Sequence, residues 1–104
     1  MKIIVGANCK NSPKNLKVTE MTQAVLQADK KMVDSLYEEG FDALKLPDLS
    51  QIDEVRILTA ISHGKHASSL CQYTADGAIR HIGMFFEFIT HKAEKYSTIL
   101  VMQD

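Results

Sequence analysis

The sequence predicts an α+β domain in which N-terminal helices pack on a curved antiparallel sheet. Three observations carry that reading. Apolar residues recur every three or four positions up to Gly40, they recur at about every second position from Phe41 onward, and glycine-bearing turns at His63-Gly64-Lys65 and Ala75-Asp76-Gly77 separate the alternating segments. A chain of 104 residues has room for one hydrophobic core, so a single domain over 1–104 is expected.

The first helix begins at Asn11-Ser12-Pro13, because a serine side chain can cap free backbone N–H groups and proline suits the first helical position. Leu16, Thr19 or Glu20, Met21, Ala24, Val25 and Ala28 then form its apolar stripe. Asp29 caps a second helix with Met32, Val33, Leu36 and Tyr37 on one face, and Gly40 ends it. Residues 41–46 read as a short strand stopped by Pro47, and 47–54 can hold one helical turn. Four strands follow at 55–62, 67–74, 78–89 and 95–103, the first three being antiparallel neighbours through tight hairpins. The 78–89 strand carries Ile82, Met84, Phe86 and Phe88 on one face and Ile79, Phe85 and Ile89 on the other. Both faces therefore need cover, and beyond the helices the second cover is expected to be another copy of the chain, a homodimer through the sheet face.

Twelve basic against thirteen acidic residues leave a net charge of −1, which argues against nucleic-acid binding, since that requires a basic surface. No run approaches 18 apolar residues, and Met1 to Gly6 is too short an apolar start for a signal peptide, so no membrane association and a cytoplasmic location are expected. The only two cysteines, Cys9 and Cys71, read as reduced thiols. Nothing calls for a cofactor, and none is expected.

The segments Cys9 to Lys14, Ala24 to Asp29, Ile61 to Lys65 and Phe86 to Phe88, in that order along the chain, resemble a small bacterial branch of the nuclear transport factor 2-like, or SnoaL-like, cone-shaped (cystatin-like) superfamily. Cys9-Lys10-Asn11-Ser12-Pro13-Lys14 is similar to that branch's Cys-Gly-Asn-Ser-Pro-Lys run, and Ala24-Val25-Leu26-Gln27-Ala28-Asp29 to its Ala-Phe-Ala-x-Gly-Asp link between helices. Ile61-Ser62-His63-Gly64-Lys65 resembles its Ile-Thr-His-Gly-Lys hairpin, and Phe86-Glu87-Phe88 its Tyr-Glu-Phe strand end. The resemblance implies a cone whose third helix is missing or reduced to one turn at 45–54, with a cavity between helices and sheet left open or collapsed. It further implies a small-molecule-binding domain of isomerase or cyclase type, with a small hydrophobic ligand. The alternatives are a non-enzymatic homodimeric interaction domain and a degenerate member without a working pocket. Met21, Leu36, Tyr37, Tyr73, Met84 and Phe86 are the candidates to line the cavity. Gly83-Met84 stands where the family has Cys-Asp, and Val101-Met102 where it has Ser-Tyr, so no catalytic residue carries over.

Four histidines, His63, His66, His81 and His91, lie in the second half, but none has a third metal ligand at motif spacing and no metal site is expected. His81 alone stands mid-strand and is the one weak catalytic candidate. It shares a face with Glu87, yet residues six apart on one strand are separated by about 20 Å, so any partner must come from across the sheet, such as Cys71, Tyr73 or Tyr96. Glu38, Glu39 and Asp42 read as a solvated helix end, the scattered glycines offer no phosphate-binding run, and Met21, Met32, Met84 and Met102 suit an adaptable core.

Overall fold

A computed structural model describes residues 1–90, 92 and 94–104; His91 lies outside the described residues. A strand comes first. The order is β1 (Lys2–Asn8), α1 (Pro13–Leu26), α2 (Lys30–Leu36), a 3-10 turn (Phe41–Ala43), β2 (Glu54–His63), β3 (His66–Ala75), β4 (Ala78–Phe88) and β5 (Tyr96–Gln103). The five strands make one sheet in the order β1-β2-β3-β4-β5. β1 runs parallel to β2, and the remaining pairs are antiparallel.

This corrects the expected architecture of N-terminal helices on an antiparallel sheet. The sheet is mixed and its edge strand precedes both helices. Ile3, Ile4 and Val5 are β-branched and pair with Val55, Arg56 and Ile57. The 41–46 segment, expected as a strand, pairs with no strand among the described residues and opens in a 3-10 turn at Phe41–Ala43. Its backbone turns instead after Gly40 (φ 79°), and the Phe41 N–H donates to Asp34 Oδ1 at 2.8 Å. Gly6 makes the edge pairing possible: a Cβ there would stand 2.8 Å from the Ile57 carbonyl oxygen, where the β1–β2 register slips.

Local signals govern the helices. Ser12 Oγ accepts from the Asn15 N–H at 3.1 Å with Pro13 in the first turn, and Asp29 Oδ1 accepts from the Met32 N–H at 3.2 Å. α1 ends in a Schellman arrangement in which the Asp29 N–H reaches the Ala24 carbonyl and the Ala28 N–H the Val25 carbonyl. Ala28 takes the left-handed position (φ 54°) that glycine usually fills. At the hairpins, Gly64 has positive φ, and Asp76 (51°) and Gly77 (77°) both do, the pattern of a type I′ turn.

The helices cover one sheet face. Val18, Met21 and Val25 of α1 and Val33 of α2 join Val55, Ile57, Cys71, Ile82, Met84, Phe86 and Phe88 in a single core. Each large side chain fully buried there contributes on the order of 1.5–3 kcal/mol. The buried face of α1 carries Thr19, Met21, Ala24 and Val25 of the expected stripe and adds Val18 and Thr22, while Leu16 is exposed. Thr19 Oγ1 donates to the Cys9 carbonyl at 2.6 Å, and Thr22 Oγ1 donates to the Val18 carbonyl at 2.8 Å while accepting from Ser69 Oγ at 2.7 Å. Hydroxyls satisfied in this way cost little to bury. The N-terminal end of α1 is pinned to the β2–β3 hairpin by Lys14 Nζ on the Gly64 carbonyl (2.8 Å) and by Ser62 Oγ on Asn15 Oδ1 (2.6 Å).

Candidate functional site

With its N-terminal end anchored at the hairpin, α1 leaves a cleft of about 440 Å³ at its other end. Ile82 and Met84 of β4 and Val101 of β5 form the floor, and Val25 to Ala28 form one wall. The opposite wall comes from Leu46, Leu49 and Ile52, which pack partly against the core. Those three residues stand three apart, so a chain with no helix to offer still turns the same face inward. The wall is tied locally: Asp48 Oδ1 accepts from the Ser50 N–H at 2.9 Å, and the Ile52 N–H donates to the Leu49 carbonyl at 3.0 Å. The Ser50 bonds hold the Asp48 carboxyl below its ordinary range. Gln27 and Ser50 are the polar side chains of the lining, both at its exposed rim. Ala28, with its left-handed backbone, also borders the cleft.

Of the six expected lining residues, Met84 borders this cleft. Met21 and Phe86 are buried in the core, and Tyr37 is buried with its hydroxyl donating to Glu39 Oε2 at 3.1 Å. Burial, reinforced by that carboxylate, raises the Tyr37 pKa. Leu36 borders a separate groove with Met32 and Tyr96, and Tyr73 another, of about 530 Å³, beside Arg56 and Gln72. The residues missed by sequence reasoning are Leu46, Leu49 and Ile52, whose three-residue spacing was their available signal.

His81 lies away from the cleft, on the sheet face opposite the helices. It stands across from Gln72, so Cys71 and Tyr73, one position to either side, point to the other face. Its partner is Asp104: the carboxylate accepts from the His81 N–H at 2.8 Å and lies 3.1 Å from His81 Nδ1. These two bonds, with the His81 and Arg80 charges, hold the Asp104 carboxyl below its ordinary range. His66 Nε2 lies 3.1 Å from Glu87 Oε2, and His63 stands opposite His66. No set of three or more metal-ligating side chains converges among the described residues. Cys9 and Cys71 are free and buried; burial raises the Cys9 pKa and pushes the Cys71 thiol up to about 12, which leaves it protonated and unreactive at neutral pH. The acidic residues at 38–42 sit at the exposed end of α2, where Asp42 pairs with Lys30 at 2.9 Å. No helix among the described residues is long and apolar enough to cross a membrane.

Comparison with known proteins gives no match to a family model, a curated protein or a solved structure, and nothing in it identifies the nuclear transport factor 2-like superfamily.

Proposed function

We propose that this protein binds a small, mostly apolar molecule in the cleft between the end of α1, the 46–52 wall and the β4–β5 floor. The observation that carries the reading is a cleft of about 440 Å³ on an apolar floor, inside the range of roughly 300–1,000 Å³ in which ligand pockets fall. Gln27 and Ser50 at the rim offer uncharged hydrogen-bond donors, which suit a ketone or lactone carbonyl better than a carboxylate. Neither is an acid or a base near neutral pH, so the reading is binding. A reducing, cytoplasmic setting belongs to the same proposal and fits two buried free thiols.

A thermal-shift screen against small hydrophobic ketones, lactones and acids tests it, because a ligand that binds only the folded chain must raise its stability, by about 2.7 kcal/mol at a hundredfold excess over Kd. Ketones and lactones are expected to raise Tm by several degrees and acids by less. Val101→Phe, which fills the floor, is expected to abolish the shift. A shift that survives Val101→Phe, or no shift with any compound, overturns the reading.

A further inference from the structure

The second face of the sheet carries an apolar patch that none of the described residues covers. Ile61, Phe85, Leu100 and Met102 are each about half exposed, and Leu70 is exposed beside them. The register makes the patch contiguous. Ile61, Ser68, Phe85 and Leu100 stand side by side across β2 to β5, and Leu70, Gly83 and Met102 form the neighbouring row. We infer that this face is where two copies of the chain pack, sheet against sheet, about a two-fold axis that crosses β4 between Gly83 and Phe85.

Three features select a second copy as the occupant. The first is self-complementarity, which an isologous contact requires. Phe85 reaches toward Gly83, where a Cβ would stand 3.7 Å from its ring edge, so an aromatic ring occupies the centre of the patch beside a shallow hollow bordered by Ile61 and Ser68. A two-fold at that point lays this ring on the same ring of the second copy. Because it exchanges the two rows, it sets large Leu70 opposite small Ser68, and Leu100 opposite Met102. The second feature is charge. The patch is flanked at one end by the His66–Glu87 pair and at the other by the His81–Asp104 pair, each at 3.1 Å. Its flanking acids already have partners within the chain, so no oppositely charged protein is called for. The third is area. The whole outer face, with the two apolar rows at its centre and the charged pairs at its margins, spans five strands about 4.8 Å apart and about 30 Å long, or about 700 Å², close to the roughly 800 Å² that each partner gives to a standard interface. Sheets so packed lie about 10 Å apart with strands nearly aligned, which this axis allows.

Sedimentation equilibrium at micromolar concentration tests the inference. The wild-type chain is expected at twice its mass of 11.6 kDa. Phe85→Glu is expected at 11.6 kDa with an unchanged far-UV circular dichroism spectrum, because the side chain points away from the core. Leu16→Glu, a change at an exposed leucine on α1, is expected to leave the dimer intact. A wild-type monomer overturns the inference, as does a dimer that survives Phe85→Glu or is lost in Leu16→Glu. Phe85 lies outside the cleft, so ligand shifts in the Phe85→Glu monomer report on the binding proposal separately.

Discussion

The two faces of β4 carry the same chemistry and meet different fates. On one face Phe88 is 1% exposed, with its ring centroid 4.6 Å from that of Tyr96; on the other, three positions away, Phe85 is 46% exposed. The first face is covered by helices of its own chain and the second by none of the described residues. A strand that is apolar on both sides therefore has one face packed in folding and one face that the dimer inference assigns to a second copy.

A matched pair of truncations breaks that comparison most directly. Phe88→Ala is expected to cost about 3–5 kcal/mol in urea unfolding, the range for an aromatic removed from a packed core. Phe85→Ala, measured at dilution where copies are apart, is expected to cost no more than about 0.5 kcal/mol. Equal losses at the two positions would mean that the open face is packed within the monomer.

The covered face also has a polar seam, and it can be opened without making a hole. Thr22→Val keeps the shape but leaves the Ser69 hydroxyl with no acceptor, for an expected loss of about 1–3 kcal/mol. Adding Ser69→Ala is expected to recover part of that loss, which a pure packing defect would not do. At the β1 edge, Gly6→Ala forces a Cβ against the Ile57 carbonyl and is expected to cost about 1–3 kcal/mol. Hydrogen exchange should then quicken in residues 2–5 before it does in β3 and β4.

The smallest expected effect lies at the end of the open face. The Asp104 carboxyl has a lowered pKa in the folded chain, so what it adds to stability is present above its unfolded pKa and is lost as pH falls through its folded value. Both partners are exposed and solvent-screened, so the effect is slight. Asp104→Asn is expected to flatten the acid limb of urea midpoint against pH while leaving neutral stability nearly unchanged.

What was legible in the sequence was what neighbours in the chain decide. Ser12-Pro13, Asp29, Gly64 and Asp76-Gly77 cap or turn the backbone within a few residues of themselves, and helix starts and hairpins follow from them. The gained strand β1 could not be read from its neighbours, because it pairs with residues some fifty positions away in β2. Thr22 was left out of the α1 stripe because it is polar by type, although Val18 and Ser69 satisfy its hydroxyl. His81 finds Asp104 only through the β4–β5 register. The cleft wall was read as a lost helix, although Leu46, Leu49 and Ile52 were spaced to face inward.

The central claim is that the uncovered face of β4 belongs to a second copy. Its most direct test is the Tm of the wild-type chain and of Phe85→Glu across a hundredfold range of protein concentration, since a dimer that binds only folded chains makes Tm rise with concentration. The account predicts a rise for the wild type and a constant value for the variant; a wild-type Tm that does not change with concentration would contradict it.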